Sequence, residues 1–151
     1  MSLFRSCLVL LPALVLAACS SVPLAQREQQ RQAAYASAAG APVRSFHFFS
    51  LWSWEPLGDS QVVVYTRPSQ AWLLDLDGSC RNLPYTQAIG LTSSSGNVYS
   101  RFDKVLTGES YMPCMITQIR PVDVRQLRVT QEAQRKINAE PRQDPATAAG
   151  R

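Results

Sequence analysis

The chain has 151 residues and a formal net charge of +4, and 46% of its residues are hydrophobic. That suffices for one folded core and is too little for two domains. Residues 46–124 carry five basic and seven acidic side chains, whereas residues 125–151 carry six basic and three acidic ones. The central part therefore lacks the concentrated basic patch that a nucleic-acid partner requires.

Residues 1–18 have the three parts of an export signal: the single charge Arg5, the apolar run CLVLLPALVLAA, and small residues at its end. The run is shorter than the ~20 residues of a membrane span, and Pro12 would kink it as a helix. Leu16-Ala17-Ala18-Cys19 resembles the bacterial lipobox at every position. The resemblance implies cleavage before Cys19 and a diacylglyceryl thioether on its sulfur. Two or three acyl chains hold a protein stably at a bilayer where one does not. Ordinary secretory cleavage after Ala-x-Ala is the competing reading. An Asp after the cysteine often retains Gram-negative lipoproteins at the inner membrane, so by analogy Ser20 points to the outer membrane, periplasmic face.

Residues 19–42 read as a tether. Pro23 can open a helix and Gly40 can close one, and LAQREQQRQAAYASAA between them is rich in good helix formers. No wide apolar stripe is visible, so the expectation is a helical or disordered stalk that nothing forces onto the domain. From Val43 to Val124 short β-branched and aromatic runs alternate with turn residues. Seven or eight short strands are expected, over Arg44–Phe49, Gln61–Thr66, Ala71–Leu76, Ser79–Leu83, Ala88–Thr92, Val98–Phe102 and Tyr111–Ile119, with Leu51–Glu55 an extended segment that puts Trp52 and Trp54 on one face, and with Pro121 ending the last. Asp77-Gly78 is a strong hairpin signal. No long helical period separates the strands. The fold class is mainly β, a small antiparallel β-sandwich or partly open β-barrel. The expected core is Phe48, Trp54, Val62, Val64, Trp72, Leu74, Leu76, Ile89, Leu91, Val98, Phe102, Cys114, Ile116 and Ile119. Residues 125–151 form a short helix and tail: Leu127, Val129, Ala133 and Ile137 would line one side of a helix from about Val124 to Ala139, and the segment from Pro141 onward has nothing to bury.

Of the four cysteines, Cys7 leaves with the signal and Cys19 takes the lipid. Cys80 and Cys114 remain, in a compartment that permits disulfides, and are expected to bond to each other. A metal pair or a redox pair is the alternative, but close ligand spacing and Cys-x-x-Cys are both absent.

The order Trp54, Asp59, Gln61–Thr66, Trp72-Leu73-Leu74-Asp75-Leu76, Cys80 and Leu83 resembles a family of small exported bacterial proteins, domain of unknown function 6491. Ile89-x-Leu91-Thr92-Ser93, Arg101-Phe102-Asp103 and Cys114-Met115-Ile116-x-x-Ile119 continue the likeness. The resemblance implies export and a cysteine pair, and it offers no activity.

Chemistry is sparse. His47 is the one histidine and no G-x-S-x-G or H-E-x-x-H motif accompanies it. Asp75, Asp77 and Asp103 read as turn residues rather than calcium ligands. No catalytic residue, metal or cofactor is expected. Trp54 and Trp72 read as core, and Trp52 stands between core and an exposed edge. Trp52, with Trp54 two residues on, is thus the candidate ligand surface. The expected function is a non-enzymatic, lipid-anchored envelope module that contacts the membrane through Cys19 and meets another envelope protein. The alternative is a binding module for a small apolar ligand, lipid or envelope glycan.

Overall fold

The computed structural model describes residues 23–78, 80–108 and 112–139. The order is helix α1 (Leu24–Ala38), strands β1 (Ser45–His47), β2 (Ser53–Pro56), β3 (Gln61–Arg67) and β4 (Gln70–Leu76), a 3₁₀ turn at Leu83–Tyr85, strands β5 (Gly90–Leu91), β6 (Asn97–Tyr99), β7 (Lys104–Leu106) and β8 (Cys114–Val122), and helix α2 (Val124–Ala139). Six strands form one antiparallel half-barrel sheet in the order β2-β3-β4-β8-β7-β5. Strands β1 and β6 pair separately. Cys80 and Cys114 form a disulfide with their Cα atoms 5.8 Å apart.

Strands β3 and β4 are buried on both faces. Their even-numbered residues Val62, Val64, Leu74 and Leu76 enter an inner core with Phe46, Leu83, Val98, Val105, Ile116 and Ile119. Trp72 lies at its border and stacks on Phe46, with ring centroids 4.8 Å apart. Their odd-numbered residues Val63, Ala71 and Leu73 enter a second core with Ala34, Tyr35, Ala38, Leu57, Val122, Val124 and Leu127. The continuous run Val62-Val63-Val64 follows from this, since a strand with two covered faces does not alternate.

The second core corrects the expectation of a free stalk. Helix α1 lies on the sheet, with Tyr35 only 1% exposed. A stripe of Ala34, Tyr35 and Ala38 is narrow, yet two alanines let the helix approach closely while one large ring fills the gap. The chain after α1 is fixed as well: Gly40 N–H donates to Pro121 O at 2.8 Å and Val43 N–H to Ile119 O at 2.9 Å. A Cβ on Gly40 would stand 3.3 Å from the Pro121 ring.

Other expectations change for local reasons. Ser79 lies outside the described residues, and from Cys80 to Leu83 the expected strand gives way to a turn, with Leu83 opening the 3₁₀ turn and fully buried; Pro84 lacks the donor a ladder needs. Phe102, expected in the core, is 66% exposed. The chain turns at Arg101 (φ 64°), and Asp103 occupies the buried place instead. Pro121 does not end the last strand, because its missing N–H lies where only its carbonyl is engaged, by Gly40. Helix α2 has the expected span but buries Val124 and Leu127, leaving Val129 and Ile137 exposed. The helix packs along α1: Gln126 in its first turn reaches Ser37 O, and Asn138 near its end reaches Gln30.

Replacing Tyr35 by Ala removes the largest side chain of the second core and should cost about 3–5 kcal/mol, the usual range for buried aromatic truncations. Urea unfolding of the variant measures this. A stability unchanged within about 0.5 kcal/mol, as for a surface substitution, would return α1 to the status of a stalk.

Candidate functional site

Three surface features bear on function. The first is aromatic. The connection between β1 and β2 exposes Phe49 (92%) and Trp52 (60%). Trp52 N–H donates to Tyr65 O at 2.8 Å, and its ring meets the Tyr65 ring edge-on at 6.4 Å. Trp54, paired with Val64, instead packs half-buried against the inner core. The two tryptophans of the candidate surface therefore part company, one lying outside and one against the core. Phe49 lines a cleft of about 280 Å³ with His47, Ser50, Thr66, Arg67 and Gln70. His47 is exposed there, and no hydrogen bond joins it to Ser50.

The second feature is an open cleft of about 700 Å³ lined by Pro42, Val43, Arg44, Tyr99, Ser100, Arg101, Thr117 and Gln118. It sits where β8 changes partner. Before the gap, Ile116 accepts from Arg101 N–H (2.6 Å) and donates to Asp103 O (3.0 Å); after it, Ile119 accepts from Val43 N–H. Between them the β4–β8 register shifts, with Leu76 opposite Ile116 but Asp75 opposite Gln118. Such bulges re-aim side chains and interrupt pairing. Asp103 clamps the neighbouring turn: its carboxylate accepts from Tyr99 N–H at 2.8 Å and from the Thr92 hydroxyl at 2.7 Å. The Arg101-Phe102-Asp103 step thus joins a turn held by a buried carboxylate to an arginine in the left-handed region, a conformation that costs a non-glycine residue about 1–3 kcal/mol.

The third is a polar tie beneath α1. Arg31 Nη1 donates to Glu55 Oε1 at 3.0 Å, and Nη2 donates to Glu28 Oε2 at 2.7 Å and Pro56 O at 3.0 Å. The Tyr35 hydroxyl donates to Glu55 Oε2. Its single proton is then committed, so at the 3.0 Å contact between hydroxyls Tyr65 donates to Tyr35. Burial lowers the Arg31 pKa, but its hydrogen bond to Glu28 and the Glu55 and Glu28 charges outweigh this, and the net direction is upward. The Tyr35 phenol is pushed far up, first by burial and then by its bond to Glu55. Tyr65 is raised too, chiefly by burial. The ion pairs are about one-third exposed and hold α1 in register more than they stabilise it. Sequence reading missed this tie, because its members lie 20 to 30 residues apart and only the packed helix brings them together.

Of the other expected site residues, Cys80 and Cys114 are joined, and Cys19 lies outside the described residues. Among the described residues no cluster of His, Cys, Asp or Glu is placed to hold a metal, and no helix is long and apolar enough to cross a membrane.

The fold and surface define a small, mainly β, disulfide-linked half-barrel domain backed by two helices. The chain belongs to the family of unknown function DUF6491, whose model matches residues 2–138. No curated protein and no solved structure matches it.

The tyrosine tie predicts an alkaline limit. A phenol whose pKa is raised on folding contributes stability in full below its unfolded value of about 10 and loses it as pH rises beyond that. Stability should thus fall above about pH 10, with the Tyr35 phenolate forming only as the chain unfolds. Ultraviolet phenolate titration beside circular dichroism checks this. Tyr35→Phe should flatten the alkaline slope while costing about 1–3 kcal/mol near neutrality, because Glu55 loses a donor. An unaltered slope would contradict the tie.

Proposed function

We propose that the protein is a non-enzymatic, lipid-anchored module of the cell envelope, held at the periplasmic face of the outer membrane and engaging another envelope protein. The observation that carries this is Leu16-Ala17-Ala18-Cys19 placed just ahead of a packed helix. From Cys19 to Leu24 there are five Cα steps, a reach of at most about 18 Å. With α1 fixed to the sheet, a lipid on Cys19 holds the domain close to the bilayer instead of on a long stalk. Leu24, in the first turn of α1, is 78% exposed.

The interaction surface is the β1–β2 connection. Large aromatic side chains left in water at a sheet edge suit a partner whose pocket desolvates them, since aromatic anchors carry much of an interface's energy. The alternative, a binding module for an apolar ligand, lipid or glycan, draws on the same Phe49 and Trp52 side chains.

Cys19→Ser should move the protein from the membrane to the soluble fraction of fractionated cells. Unchanged partitioning would refute the anchor. With the anchor intact, Phe49→Ala/Trp52→Ala should abolish envelope crosslinks to a partner while leaving the melting temperature within a few degrees, as both side chains are mostly in water. Crosslinks that persist would remove this surface from the account. Bound apolar ligand in native mass spectra, lost in the same variant, would favour the alternative.

A further inference from the structure

The cleft at the β8 bulge takes no part in that reading. We infer that it binds the oxyanion of a phosphate-bearing ligand. Its lining residues include two arginines, Arg44 and Arg101, and no Asp or Glu. Among the described residues neither arginine has an ion-pair partner. Both arginines are exposed, so their charge is open to an anion entering from solvent. The hydroxyls are already committed: Ser100 Oγ donates to Arg44 O at 3.2 Å and Thr117 Oγ1 to Asp75 O at 3.0 Å. Donors for a ligand therefore come from the guanidiniums, with the Gln118 amide and Tyr99 hydroxyl beside them. Arginine's planar fork matches phosphate oxygens two at a time.

The position of Arg101 adds to the case. A glycine would make the same turn without strain, yet an arginine stands there, held at φ 64° by the Asp103 clamp and by its 2.6 Å bond to Ile116 O. Strain kept at a cleft is a mark of a functional position. A cleft of about 700 Å³ exceeds what a lone phosphate fills, so the ligand carries the phosphate on a larger body, either a soluble phosphoester or a phospholipid headgroup.

The test uses the purified native protein in a nonionic detergent, titrated with inorganic phosphate and followed by amide resonances. Saturable shifts are expected at residues 100, 101, 117 and 118. Arg101→Gly and Arg44→Gln should each weaken binding tenfold or more, a loss on the scale of one charge-assisted hydrogen bond. Arg101→Gly should keep the melting temperature within about 4 °C, because relieved strain offsets the freer unfolded chain. Arg125→Gln, on α2 and outside the cleft, should bind as the parent does. Glycerol phosphate and phosphatidylglycerol vesicles then separate the sources, the tighter of the two naming the ligand's kind. Absence of saturable shifts, shifts indifferent to both cleft substitutions, or acetate binding as tightly as phosphate would overturn the inference. None of these outcomes depends on lipid at Cys19, so the site and the anchor stand or fall separately.

Discussion

Strands β3 and β4 have no face turned to water, and the rest of the described chain is arranged around that fact. Each fully buried aliphatic side chain is worth about 1.5–3 kcal/mol only if something covers it. The inner face is covered by the β1–β6 pair, the 3₁₀ turn with Leu83, and the disulfide at Cys80 and Cys114. The outer face is covered by the two helices, which supply Tyr35, Val124 and Leu127. Removing either cover leaves a row of valines and leucines exposed on the central strands. The helices are thus structural members of the half-barrel, although they flank it in sequence.

That arrangement decides what the N-terminal segment can do. A helix tied to β2 through Arg31 and Glu55, and to β8 through Gly40 and Val43, cannot act as a flexible spacer. Phe49 and Trp52 between β1 and β2 stay mostly in water, and the β8 cleft lies where that strand changes partner, so truncating exposed side chains there should disturb folding little.

Much of the β pattern was legible from the residues. Gln61–Thr66 and Ala71–Leu76 announced the central hairpin by their β-branched and aromatic content, and the cysteine pairing followed from counting. The second core was not legible. Leu73 looked like an outward residue because alternation assigns it opposite to Leu74, and alternation carries no information about whether a helix covers that side. Tyr35 in a segment of Ala, Gln and Arg gave little amphipathic signal, since two alanines and one ring make a narrow stripe. Phe102 misled for the opposite reason: its hydrophobicity suggested core, while the polar neighbour Asp103 was the residue that the turn needed inside. The β8 cleft had no signal at all, because its residues come from three separate segments and meet only where a strand changes partner.

Native-state hydrogen exchange across α1 measures the central claim most directly. If the helix is an integral cover of the sheet, its amides near Tyr35 and Ala38 open with the same free energy as those of Val63 and Leu73, in one cooperative unit. Exchange of the α1 amides at several kcal/mol below the strands, with β3 and β4 still protected, would mean that the sheet holds without its helical cover, and the account would be wrong.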